Sequence, residues 1–222
     1  MKKSIILSIL LALMGSVGTV NAQRYLESYF GCNNIFLEYN PMKFSKGGPE
    51  FKKGISFRWT DGYCLGDTPF FLAGGIMAAY MWDELDNAND INWMSNTFSL
   101  SNNQVKNPED KNNPTSITYD KFSYLTGGGL VEGGFAIRFA KGVYLVPAVE
   151  FMVLFNGGWA KGDAGKSSMR IHGINFIELD ADFGGTFHVG RFAVKGGYTK
   201  GLTRYTSGVN RDMWHVGLGF GI

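Results

Sequence analysis

The sequence predicts an all-β protein: one eight-stranded antiparallel up-and-down barrel that spans a membrane with its strands. Three observations predict this class. Apolar residues recur at every second position along most of the chain after residue 22, and a helical period is almost absent there. Glycine is 31 of 222 residues and aromatics reach 15%, a mixture that disfavours helices and suits a twisted sheet. One face of each period-2 segment is apolar and nearly free of charge, while the other carries acids and bases among glycines.

Residues 1–22 stand apart from this pattern. Lys2 and Lys3 precede the apolar run Ile5 to Met14, and Val20 and Ala22 occupy small-residue positions before a cut. This predicts a cleaved secretory signal peptide, too short to span a bilayer. Gln23 rather than Cys follows the cut, so no lipoprotein anchor is expected. With Lys2 and Lys3 set aside, acidic and basic side chains balance. That excludes the basic surface a nucleic-acid partner requires.

Eight segments alternate in order, at about 33–43, 54–64, 69–83, 119–140, 143–159, 172–188, 192–205 and 212–222. The fifth is the clearest. Its odd positions read Val143, Leu145, Pro147, Val149, Phe151, Val153, Phe155, Trp159, and its even positions include Tyr144, Ala148, Glu150 and Asn156. In the fourth, Leu125, Val131, Phe135, Ile137 and Phe139 alternate with Thr126, Glu132 and Arg138. In the sixth, Ile177, Leu179, Ala181, Phe183 and Phe187 alternate with Glu178, Asp180, Asp182, Thr186 and His188. The last alternates Trp214, Val216, Leu218, Phe220 and Ile222 with Met213, His215 and glycines. Pro147 would remove a ladder hydrogen bond in mid-strand, which predicts a local bulge.

Short connections ("CLGDTP", "AKG", "VGR") alternate with longer ones. A meander places these at opposite ends. The largest, Glu84 to Ile117, is rich in Asn and Asp and lacks a period, so it reads as a mobile external loop. Trp93, Met94 and Phe98 are its candidate contact points. The acidic start "DELDNAND" lacks the oxygen-ligand spacing of a calcium loop. No domain boundary interrupts residues 23–222.

A soluble barrel is apolar inside and polar outside, whereas a membrane barrel is the reverse. The charged face collects Glu38, Arg58, Glu132, Arg138, Glu150, Glu178, Asp180, Asp182 and Lys195. A small soluble barrel does not bury so many acids. Lipid rejects charge, and a narrow interior can pair it. The segments are long enough to cross a bilayer when tilted, and Trp59, Tyr63, Tyr80, Trp82, Trp159 and Trp214 fall where interfacial girdles are expected.

The segments "GVYLVPAVEFMVL" and "INFIELDADFGGTFHVGRFAVKGGYTKGL" resemble strands of the small outer-membrane β-barrels of Gram-negative bacteria. The chain is of OmpX-like size and resembles more narrowly the PorT-like barrel domain common in Bacteroidetes. The resemblance implies outer-membrane localisation and insertion by the barrel-assembly machinery, with no general activity attached.

The charged face is expected to form a salt-bridged plug, because an eight-stranded barrel is just wide enough for its side chains to fill it. Arg58 and Arg138 would pair with Glu38, Glu132 and Glu150, and Lys195 with the 178/180/182 row. The acids outnumber the bases, so a cation or proton role is the sharper alternative. Cys32 and Cys64 fall on one face of the first hairpin, so a disulfide is expected, with two buried thiols as the alternative.

The three histidines lack metal-ligand spacing, and no nucleotide, metal or hydrolase motif is present. No cofactor is expected. The favoured function is a monomeric, plugged, non-enzymatic barrel with a structural or surface-interaction role, its partners being membrane lipid and an extracellular ligand. Two alternatives are a PorT-like accessory for secretion or transport and a lipid A-modifying enzyme built on Ser167, Ser168 and His172.

Overall fold

The computed structural model describes residues 33–65, 68–100, 119–162, 168–171, 173–205 and 207–222. The leader region and Cys32 lie outside them, as do 101–118, Ser167 and His172.

Twelve strands make eight staves. They are β1 (Asn34–Tyr39), β2 (Met42–Phe44), β3 (Glu50–Phe51), β4 (Lys53–Cys64), β5 (Phe70–Glu84), β6 (Tyr119–Phe135), β7 (Ile137–Ala140), β8 (Val143–Gly162), β9 (Ser168–Arg170), β10 (Ile177–Val189), β11 (Phe192–Gly201) and β12 (Arg211–Gly221). Neighbours run β1-β4-β5-β6-β8-β10-β11-β12, all antiparallel, and β12 pairs back onto β1. The sheet is therefore a closed barrel. Closure removes the free edges that would otherwise template pairing with another chain. β2 prolongs the stave of β1 beyond Pro41 and pairs with β12 and β3, while β9 is a short flap on β8.

Tight turns gather at one end. Gly142 (φ +74°) and Gly190 (φ +61°) supply the left-handed backbone there, and Gly190 donates its N–H to the Gly142 carbonyl at 2.7 Å. The longer connections gather at the other end.

The alternation sorts side chains between two environments. Outward stand Leu37, Phe57, Val131, Phe151, Phe183 and Leu218, the last 72% exposed. Inward stand the charged residues. Exposed apolar surface of this extent on every stave has no place in water and suits lipid. Aromatics rim both ends: Tyr80 stacks on Trp82 and Tyr198 lies against Trp214 at the loop end, while Phe192 meets Phe220 and Phe70 meets Phe135 at the turn end. Trp59 departs from the expected girdle. It stands within the wall, opposite Ile35 and Ile76.

The interior is layered, and it is less uniformly polar than the sequence implies. A small apolar layer at the turn end holds Phe71, Ala73, Tyr144 and Val146. The charged belt follows. Above it, at the loop end, lies a large apolar plug that includes Met42, Phe44, Phe51, Met81, Phe122 and Leu154.

A helix seals this plug. α1 (Ala88–Thr97) occupies part of the segment expected to be a structureless external loop. Asn87 caps it by accepting a hydrogen bond from the Asn89 N–H, and Asp90 sits in its first turn. Met94 and Phe98 are buried, and Trp93 packs against the same cluster. Phe44 lies 5.3 Å from Phe98 and 5.7 Å from Trp93, ring to ring. Met94 and Phe98 are therefore not surface contact points, while Trp93 stays half-buried at the edge of the plug. Too short to be stable alone, the helix is held by the apolar face it lays on the barrel mouth.

Other strand details also depart from expectation. β10 starts at Ile177 and β11 ends at Gly201. Residues 202–205 instead fold across the mouth, with the N–H groups of Leu202 and Thr203 both bonded to the Leu179 carbonyl. Pro147 causes no bulge. The β8 register with β10 runs straight through it, and Gly134↔Ala148 and Ile137↔Leu145 keep one step across it, the nearest shift lying beyond Arg138. Its missing N–H falls where β6 gives way to β7, at Ala136, whose own N–H turns to the Pro69 carbonyl at 2.9 Å.

Candidate functional site

The charged belt has two storeys. In the lower one, Glu132 of β6, Glu150 of β8 and Asp182 of β10 stand directly opposite one another on adjacent staves. Like charges in directly opposed positions are destabilising, so this row exists only because cations are set against it. Lys195 pairs with Glu132 at 3.3 Å and with Glu150. Arg58 pairs with Glu150 and reaches Glu38 through Nε at 3.2 Å. Ser56 donates to Glu38 at 2.8 Å and Thr199 to Asp182 at 2.5 Å. His215 bridges the ends: Nε2 is 2.8 Å from Asp182 and Nδ1 is 3.6 Å from Glu38. Glycine makes this packing feasible. A Cβ at Gly217 would sit 2.5 Å from Glu38 Cγ, and one at Gly197 would sit 2.6 Å from His215 Nε2.

The upper storey is organised by Arg211, the first residue of β12. It is wholly buried. Its Nε donates to Glu178 Oε2 at 2.8 Å, its Nη2 to Asp180 Oδ2 at 2.8 Å, and its guanidinium lies 5.0 Å from the centre of the Tyr124 ring. Glu178 Oε2 also accepts from Asn156 Nδ2 at 2.9 Å, Tyr205 Oη at 3.1 Å and Tyr124 Oη at 3.2 Å. Tyr205 belongs to the connection that folds over the mouth, so this carboxylate ties the barrel wall to its cap.

The structure buries eight of the nine residues that the sequence grouped and pairs them differently. Glu38, Arg58, Glu132, Glu150, Glu178, Asp180, Asp182 and Lys195 all lie in the sealed interior. Arg138 does not join them. It is half-buried in β7 at the turn end, where its Nε donates to the Ala140 carbonyl at 3.1 Å. It keeps the step of Glu132 opposite β8 but lies six residues further along the stave, opposite Tyr144. Lys195 serves Glu132 and Glu150 rather than the 178/180/182 row, which is served by Arg211 and His215.

Arg211 was not anticipated. It follows the turn-like "TSGVN" and reads as loop. Yet it shares the odd phase of Met213 and His215, and extending that phase two residues back would have found it. Tyr124 shares the even, inward phase of Thr126 and Glu132 in the same way, whereas Tyr205, in a connection, left no such signal.

Cys64 is half-buried opposite Phe71, while Cys32 lies outside the described residues. Ser168 is in β9, but its proposed companions Ser167 and His172 are outside the described residues. Among the described residues, no group of three His, Cys, Asp or Glu side chains is placed to hold a metal ion. The arrangement is chemically suited to holding staves together. Each of Arg58, Lys195 and Arg211 spans two carboxylates, and each cation lies far from its partners in sequence or on another stave.

No protein-family model matches the chain, and no curated protein matches it. Solved structures do. Neisserial surface protein A aligns at 13% identity over 86% of this chain and 98% of its own, with a TM-score of 0.50. The chain has the fold of a small outer-membrane β-barrel. The attachment invasion locus protein Ail of Yersinia pestis aligns at 12% identity over 86% and 97% (TM-score 0.46). The outer membrane enzyme PagL aligns at 9% over 84% and 99% (TM-score 0.43). At these identities the likeness is one of fold alone.

Proposed function

We propose that the protein resides in the outer membrane as a closed, monomeric, non-enzymatic barrel that presents its loop end to the exterior. Short turns face the periplasm and longer loops the exterior in barrels of this kind. One observation carries the reading: an apolar outer wall, interrupted towards the turn end by the exposed Asp61, encloses a belt in which every described acid is engaged by a cation or a hydrogen-bond donor. Such a belt, closed above by the Met- and Phe-rich plug and α1, leaves side chains where a pore would have water. The role is therefore structural or one of surface interaction through the loop end.

Planar-bilayer recording tests this reading. The expected result is a silent bilayer with folded protein present. A steady, large conductance would overturn the plugged interior. A PorT-like accessory role rests on the strand resemblances alone. It predicts that deleting the gene depletes secreted cargo.

A further inference from the structure

The outward face at the loop end carries a ring of lysines just beyond the aromatic rim. Most of them are matched by acids. Lys43 stands opposite Glu50 and Asp212, Lys53 pairs with Asp83 at 3.9 Å, and Lys200 pairs with Asp212 at 2.8 Å.

One sector differs. Lys121 of β6 and Lys161 of β8 stand directly opposite each other, and both are exposed. Trp159 lies two residues below Lys161 on the same face, and Arg170 of β9, also exposed, stands opposite Trp159. Lys121 reaches Glu84 at 3.2 Å, but that pair is about half exposed on both sides and so is worth little. Lys161 and Arg170 make no ion pair among the described residues. Directly opposed like charges cost stability, and among the described residues only the half-exposed Glu84 is set against the three cations.

We infer that Lys121, Lys161 and Arg170 bind the phosphate of an anionic lipid in the leaflet at the loop end. The inference rests on the membrane reading above. Two features favour a lipid over a soluble anion. The cations project from the lipid-facing side of the staves rather than from loop tips. They also stand above apolar stripes, Lys121 above Ser123 and Leu125 and Lys161 above Trp159, Phe155 and Val153. A molecule that fits both must have a charged head and an apolar tail. Lysine and arginine offer a phosphate point charge and a planar fork respectively, and Trp159 sits at the depth of the headgroup boundary.

The test compares full-length protein with the variant Lys121→Gln/Lys161→Gln/Arg170→Gln and a turn-end control, Lys141→Gln/Arg191→Gln. Each is folded into bilayers of phosphatidylcholine containing phosphatidic acid, a lipid with a phosphate monoester. Bound phosphatidic acid is then counted by native mass spectrometry after detergent extraction. At about 1 kcal/mol per cation near a charged surface, the rim variant should bind on the order of a hundredfold more weakly. The control should bind like the parent. Equal retention by parent and rim variant, or equal loss in the control, overturns the inference. So does displacement of the lipid by glycerol 3-phosphate at matched concentration, which would mark a soluble-anion site. Folding is scored separately by protease protection in vesicles. A parent that fails to insert overturns the membrane reading and the inference with it.

Discussion

Arg211→Met is the substitution that most directly tests how the interior is held. Methionine keeps much of the side-chain volume and removes the charge. Two buried carboxylates are left behind. Glu178 retains Asn156, Tyr124 and Tyr205 as donors, whereas Asp180 Oδ2 loses its hydrogen bond from Arg211 Nη2. Breaking a buried ion pair by removing one partner costs about 3–5 kcal/mol. The three donors that stay on Glu178 place this case at about 3–4 kcal/mol. Replacing every charge together, as Arg211→Met/Glu178→Gln/Asp180→Asn, should return stability to within about 1–2 kcal/mol of the parent, since a neutral, hydrogen-bonded core carries no uncompensated charge. The assay is equilibrium urea unfolding in phospholipid vesicles, followed by tryptophan fluorescence. A single variant within about 1 kcal/mol of the parent would refute the reasoning. A triple variant as unstable as the single one would refute it equally.

Two further substitutions separate the cap from the wall. Phe98→Ala removes a ring packed among Phe44, Trp93 and Tyr205, at a cost of about 3–5 kcal/mol. The loss should appear as faster hydrogen exchange across α1 with β8 unchanged, and unaltered exchange in α1 would show that the helix does not depend on the plug. Phe151→Arg places a charge at mid-height on the outward wall and should cost about 2–4 kcal/mol in a bilayer. A neutral effect in vesicles would mean that this face does not meet lipid.

The staves were legible because each has two faces in contact with opposite media. In β8 the demand for lipid on one side fixes Val149, Phe151, Val153 and Phe155 at odd positions, and Glu150 then falls inward whatever its partner. The same constraint placed Glu178, Asp180 and Asp182 of β10 inside. Identifying their counter-ions needed more. Arg58 and Glu150 are 92 residues apart, and Lys195 and Glu132 are 63 apart. Such pairs meet only because the sheet closes on itself with a particular stagger, a property of the whole barrel. α1 was missed for a related reason. A 10-residue helix has weak propensity by itself and takes its stability from the barrel mouth it covers.

The sequence alone determined the class of fold, the number and phase of the staves, and which acids face inward. Each of these follows from a local alternation between an apolar outward face and a polar inward one. Only the tertiary structure decided that Arg211 and His215 balance the acid row, that the loop-end half of the interior is apolar, and that Trp93, Met94 and Phe98 seal it. Those outcomes depend on distances across the barrel, which closure and stagger set and which no run of neighbouring residues encodes.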